Sequence, residues 1–325
     1  MIKGKGKTFE FFVRNVLINI GFDEVASDGI YIYTGTAGQM INGLGESHNA
    51  DVLLEPPVQI PFSAMTRLLI ECKDFKNGDM VGLDIIRSAL GLRTDINSFE
   101  VLDYQELLRR KPQNRRKSVH YMEYTYSVAI ASTSGFSDQA QKMAATYRIP
   151  LIDFSKYPFW SKWIQKLQEY EVRSEAYDEE RLCEYIKGIC RGMAVAVTST
   201  GQLLFLHNPE GTLSFTDETY SFRWDIKGGP WTLICADVEY RFYLPQLMTL
   251  NWLTEESGEE KALEANINTM SRMVVYYREN GQARIKVLSN SRKIMKEFYE
   301  EFEAKERVQI LKIDGDSITE YKTPK

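Results

Sequence analysis

Apolar residues recur at helical spacing over residues 7–20, at Phe9, Phe12, Val13, Val16, Leu17 and Ile20, and Gly21 follows as a stop, which predicts an amphipathic helix. A short strand is expected at about 29–33. After it come four glycines within residues 35–49, a stretch that reads as a mobile or tightly turning loop. The runs ADVLLE at 50–55 and TRLLIECK at 66–73 are strand-like. The proline-bearing segment between them cannot continue a central strand, so the two runs are expected to form a hairpin with a wide bend. Met80, Leu83, Ile86 and Leu90 mark one face of a helix over 78–95. A buried strand at 124–133, a helix with Ala140, Met143, Ala144 and Tyr147 on its stripe, and the strand IPLIDF have short joins. They predict a parallel crossover unit.

Beyond about Tyr157 the pattern changes. A polar helical run reaches Cys190, in two pieces or with a kink, and Cys183 and Cys190 stand seven apart on one face, as buried packing requires. MAVAVTST and GQLLFLH follow, joined by a glycine turn. LSFTDETYSFRW and WTLICADVEYRFYL add strands, with Trp231 on a core strand, and a hairpin turns at Asn280–Gly281. A capped helix over 290–306 and a last strand VQILKI are expected. The organisation this implies is a domain over 1–158, a helical connection over 159–190, and an α+β domain over 191–325 for recognition, dimerisation or sensing.

Composition narrows the class. A chain of 325 residues with 43% hydrophobic and 26% charged positions is globular. No run of eighteen apolar residues is present, and Glu10 and Arg14 interrupt the segment where a signal-peptide core would stand, so a cytoplasmic protein with no membrane partner is expected. Four scattered cysteines and three histidines fit neither a disulfide framework nor a zinc site. Residues 1–160 carry eighteen basic and eighteen acidic residues, so the net charge of −5 falls entirely on the second half. Electrostatics therefore favours the first half, or a local patch, for any polyanion. The absence of GxxxxGK[ST] argues against ATP hydrolysis.

The candidate chemistry lies in Asp51 and in Glu71-Cys72-Lys73. Residues i and i+2 of a strand share a face, so Glu71 and Lys73 stand side by side while Cys72 points the other way, into the core. If the two strands pair antiparallel, Asp51 comes opposite that end. Two carboxylates and the Cys72 main-chain carbonyl suit a magnesium ion, with manganese as a substitute. Lys73 would orient the water or stabilise charge on a phosphoryl oxygen. Glu10, on the polar side of the first helix, would reach the metal through water. Plainer roles stand beside these: a solvated Glu71–Lys73 ion pair, a turn role for Asp51, and a helix-dipole role for Glu10.

Four segments carry a resemblance: GKTFEFFVRNVLINIGF, HNADVLLE, LLIECKDF and VAIASTSGFSDQAQKMAATYRIPLIDF. Together they resemble the PD-(D/E)xK nucleases, in the Mrr-like restriction-endonuclease branch, over roughly residues 4–155. Ala50 stands where the motif name has proline. The resemblance implies an α/β fold, a restriction-endonuclease-like mixed central sheet flanked by helices. It implies a magnesium-dependent DNA endonuclease of restriction or phage-defence type, with Glu10, Asp51, Glu71 and Lys73 catalytic. The competing reading is a catalytically silent nuclease-fold module that binds DNA or protein, or a nuclease subunit gated by a partner.

Expected partners are double-stranded DNA, a second copy in a homodimer, and a regulatory or defence-system protein. Lys76 and the run Arg109, Arg110, Lys111, Arg115, Arg116 and Lys117 are candidate phosphate contacts, which position a duplex without reading it. Arg284, Lys286, Arg292, Lys293 and Lys296 form a second basic cluster. His48, Glu46, Glu55 and Asp74 are further candidates near the motifs, and Gln39 and Asn42 either meet base edges or shape turns.

Overall fold

Five strands of the first half form one layer, and the side chains of its central strands alternate between two apolar faces. A computed structural model of the protein describes residues 5–36, 38–59, 64–75, 78–102, 120–121, 124–172, 178–198, 201–216, 220–224, 230–244, 272–289, 310–314 and 317–321. The first half runs α1 (Lys5–Ile20), β1 (Asp23–Glu24), β2 (Ile32–Gly35), β3 (Gly38–Asn42), β4 (Ser47–Asn49), β5 (Val52–Glu55), β6 (Met65–Lys73), α2 (Leu83–Asn97), β7 (Val101–Leu102), β8 (His120–Tyr121), β9 (Tyr124–Ser132), α3 (Asp138–Tyr147) and β10 (Leu151–Asp153). Strands β1-β5-β6-β9-β10 make a mixed sheet: β5 and β6 are antiparallel, and β6, β9 and β10 run parallel. The expected hairpin and the parallel crossover are both present.

On this sheet Val52, Leu54, Leu68 and Ile70 join one core with Phe9, Phe12, Val13 and Val16 of α1. Their alternates Leu53 and Leu69 join a second core with Ile86 and Ala89 of α2 and Ala140 of α3. Helices therefore cover both faces. The molecule is a mixed α/β fold with several sheets.

The glycine-rich stretch departs from the expected loop. Strands β2, β3 and β4 pair antiparallel as a small sheet of their own, and the preceding strand begins at Ile32 rather than at about 29. The reason lies fifty residues away. Asp95 of α2 accepts the Gly45 main-chain N–H at 2.8 Å, and its carbonyl accepts the Leu44 N–H at 3.1 Å, which fixes the hairpin tip on the helix.

The chain continues as α4 (Pro158–Val172), α5 (Glu179–Ile189), β11 (Met193–Thr198), β12 (Leu203–His207), β13 (Tyr220–Trp224), β14 (Trp231–Cys235), β15 (Val238–Phe242), β16 (Arg272–Glu279), β17 (Gln282–Ser289), β18 (Ile310–Asp314) and β19 (Ser317–Tyr321). An antiparallel sheet of order β13-β14-β15-β12-β11-β16-β17 dominates this half. The β16–β17 hairpin turns at Asn280 and Gly281, both with positive φ (51° and 79°), as a tight two-residue turn requires. Trp231 is buried in the sheet, as its pattern predicts. Cys190 is buried against α1, with its Sγ 3.9 Å from the Val16 carbonyl oxygen, while the Cys183 Sγ meets Asn15 at 3.5 Å. The core beneath α1 is shared with the second half: Trp160, Trp163, Leu182, Ile186, Val195, Phe205 and Tyr276 belong to it. Among the described residues, no helix is long and apolar enough to cross a membrane.

Candidate active site

Four elements meet at one end of the mixed sheet. The β5–β6 register pairs Val52 with Ile70, and one further step along both strands sets Asp51 opposite Glu71. Here the ladder gives way to a side chain: Asp51 Oδ2 accepts the Cys72 main-chain N–H at 2.9 Å. The N–H and C=O of one strand residue lie on the same edge, so the Cys72 carbonyl is turned to the side that Asp51 occupies. Arg14 of α1 donates from Nη2 to the Asp51 carbonyl oxygen at 3.0 Å, and Asn49 Nδ2 lies 3.4 Å from Asp51 Oδ1. Cys72 and Asn49 thus hold the carboxylate, one on each oxygen, and Arg14 holds the main chain of the same residue.

Glu71 and Lys73 share a face, as their spacing predicts, with Lys73 Nζ 2.7 Å from Glu71 Oε2. They are 20% and 24% exposed, too sheltered for an ordinary surface pair yet still reachable from solvent. Burial works against the Lys73 charge, but the bond to Glu71 and the field of Asp51 outweigh it and raise its pKa. Lys73 therefore stays an ammonium. Cys72 packs against the α1 core, and its thiol pKa is pushed up by burial and by the Asp51 and Glu10 carboxylates. Glu10 bonds Lys7 at 2.7 Å, one turn back on α1. Burial raises the Glu10 pKa against that bond, and Asp51 adds to the rise. The mutual influence of Glu10, Asp51, Cys72 and Lys73 places them in one electrostatic cluster.

A cleft of about 540 Å³ opens beside this cluster, lined by Glu71, by Glu46, His48 and Asn49 of the hairpin, and by Ser88 and Asp95 of α2. The other sequence candidates separate. Glu55 faces away, accepting from the buried Arg67 at 2.8 Å, and Asp74 accepts the Thr133 hydroxyl at 2.8 Å. Gln39 and Asn42 donate to the main-chain carbonyls of Val25 and Ile30, both at 2.7 Å, so turn shaping accounts for them. Arg284 lies 4.0 Å from Glu279, and Lys286 reaches the Thr216 carbonyl at 3.5 Å. Lys76, Arg109, Arg110, Lys111, Arg115, Arg116, Lys117, Arg292, Lys293 and Lys296 lie outside the described residues, as does the helix expected over 290–306.

Sequence reading missed Arg14 and Asp95. Each is a single charged residue on a helix, and only the long-range pairing reveals its partner. Among the described residues no group of three or more His, Cys, Asp or Glu side chains is arranged to hold a metal ion. The donors at the sheet end are instead two carboxylates and one main-chain carbonyl, all hard oxygen.

No protein-family model matches the chain, and no curated protein matches it. Among solved structures it is similar to the crystal structure of a protein of unknown function, AF1548, at a TM-score of 0.30 and 18% identity over 46% of this chain. The chain spans 58% of the length of that protein.

Proposed function

We propose that the protein is a divalent-metal-dependent deoxyribonuclease of the PD-(D/E)xK type, a cytoplasmic restriction or phage-defence endonuclease that hydrolyses phosphodiester bonds in double-stranded DNA. The observation that carries this reading is the meeting of Asp51 and the Glu71–Lys73 pair at one sheet end, with the Asp51 carboxylate on the Cys72 main-chain N–H. A mixed sheet with α1 on one face and α2 and α3 on the other supports a restriction-endonuclease-like core. A duplex offers two strands to cut, which favours a homodimer.

The donor set fits magnesium, which takes oxygen from one or two carboxylates and keeps several waters. Asp51, Glu71 and the Cys72 carbonyl would hold it, with Glu10 reaching it through water. Bound there, the ion would polarise the phosphodiester and acidify a water. The Asp51 carboxylate is pinned by Cys72 and Asn49 and its main chain by Arg14, so its oxygens are set before any ligand arrives. Lys73, kept protonated beside Glu71, acts by charge and not as a base, and stabilises the negative phosphoryl oxygens as charge builds.

The test incubates purified protein with modified and unmodified plasmids in magnesium, manganese or chelator, beside Glu71→Ala and Lys73→Ala. Cleavage that needs the metal and both side chains is expected. Cleavage in chelator, or undiminished cleavage by Glu71→Ala, would overturn the reading. Metal-independent binding of DNA or protein without hydrolysis would favour the silent module.

A further inference from the structure

His48 stands on β4, three residues ahead of Asp51, and its Nε2 lies 2.7 Å from Oδ2 of Asp95. Asp95 is itself fixed by the Gly45 and Glu46 main-chain N–H groups, at 2.8 and 3.4 Å. The imidazole bond and then these N–H groups hold its carboxyl below the usual carboxylate range, so it is an acceptor. An imidazole bound through one nitrogen to a fixed carboxylate presents the other in a set direction. The second nitrogen, Nδ1, makes no hydrogen bond among the described residues. The ring lines the same cleft as Glu71. Glu46 on the hairpin, Glu71 on β6 and Asp95 on α2 are the titratable groups that line the walls around it.

We propose that His48, oriented by Asp95, is a further catalytic residue of this site and gives the Nδ1 proton of its imidazolium to the leaving oxygen of the phosphodiester. The inference rests on the nuclease reading. In the step, the oxygen of a water forms the new bond to phosphorus and its proton passes to solvent. The bond from phosphorus to the leaving oxygen breaks, and that oxygen takes the Nδ1 proton. The imidazole regains a proton from solvent. Asp95 does not touch substrate; it is a positioning residue that sets the ring and stabilises the imidazolium.

A latch that merely pins the hairpin would use the same hydrogen bond, and His48→Gln separates the two roles. Glutamine keeps an N–H donor for Asp95 but carries no transferable proton. The variant should keep its thermal midpoint and its KM, and lose about 10²-fold in kcat.

A second measurement needs no turnover. The chain has three histidines, so the His48 ring signals can be assigned in an NMR spectrum by their loss in the variant. A short DNA duplex is added with calcium, and binding is followed by fluorescence anisotropy. The His48 signals should move as the duplex saturates the protein. A bound duplex that leaves them unmoved, or a folded His48→Gln that cleaves at the wild-type rate, would overturn the proposal and leave the nuclease reading standing. A protein that neither binds nor cuts duplex, or is indifferent to Glu71→Ala, would overturn the nuclease reading and this proposal with it.

Discussion

Asp51 bonds the main-chain N–H of Cys72, the residue between Glu71 and Lys73, at 2.9 Å. The aspartate thereby takes the place of the next rung of the β5–β6 ladder. A carboxylate tied to the backbone of its neighbour cannot drift from the glutamate and lysine on either side of that backbone.

Graded losses should follow from the four motif residues. In the proposed metal site, alanine at Asp51 or Glu71 would remove a negative oxygen ligand, so metal affinity and turnover should fall together. Lys73→Ala should lower turnover by about 10²–10³ with less effect on metal affinity, since its proposed role is to stabilise developing charge. Lys73→Arg should not restore the rate fully, because a planar guanidinium differs in reach. Glu10→Ala should be milder than Asp51→Ala. Metal calorimetry and cleavage rates on the same variants check this ordering.

Gly43→Ala should loosen the hairpin. A Cβ there would stand 2.0 Å from Asp95 Oδ2 and 2.7 Å from the Glu46 carbonyl oxygen, so either the Asp95 latch or the turn must move. The expected cost is about 1–3 kcal/mol, read as a lower thermal midpoint. Gly91→Ala on α2, where a Cβ meets nothing within 4 Å, is the control and should leave the midpoint unchanged or raised.

Arg67 is the buried cation of the first sheet. It bonds Glu55 at 2.8 Å and the Tyr126 hydroxyl at 3.1 Å, and its guanidinium carbon stands 3.3 Å from the Tyr124 ring centroid. Arg67→Ala would strand Glu55 and the two rings, at a cost of about 3 kcal/mol in urea unfolding. Arg67→Lys should recover only part, for lack of the planar fork.

His207 should make the fold acid-sensitive. Burial first, then Lys162 and Arg241, push its pKa down from 6.5 to about 4. Between those values the unfolded chain binds the proton more readily, so stability should be full above pH 6.5 and fall as pH drops toward 4. The loss amounts to at most about 3 kcal/mol. His207→Gln should flatten that slope, as urea titrations at neutral and mildly acid pH would show.

Legibility followed the range of the interactions. Helix α1, the β5–β6 pair and the parallel crossover rest on local periodicity, and Phe9, Leu17, Val52 and Ile70 announce their faces in the sequence. The juxtaposition of Asp51 and Glu71 was equally open to reading, because a period of two and a proline bend fix it. The hairpin at 38–49 was not, since its glycines and amides have the composition of a loop. Its order comes from Asp95, a helix residue whose pattern matches any solvated position. The same holds for Arg14, which reaches across 37 residues to brace Asp51.

The core beneath α1 has one more consequence. The helix that carries Glu10 and Arg14 is wedged between the first sheet and the aromatic residues of the second half, and Arg278 of β16 even grips the Ile18 carbonyl at 3.2 Å. A fragment ending near residue 158 would strip that wedge of Trp160, Trp163, Leu182, Ile186 and Phe205 and leave Phe9 and Phe12 facing water. The acidic end of the sheet is therefore not an excisable cartridge. Helix α1 joins the two halves at this point: it packs against β11 and β16, and its Arg14 holds the Asp51 carbonyl.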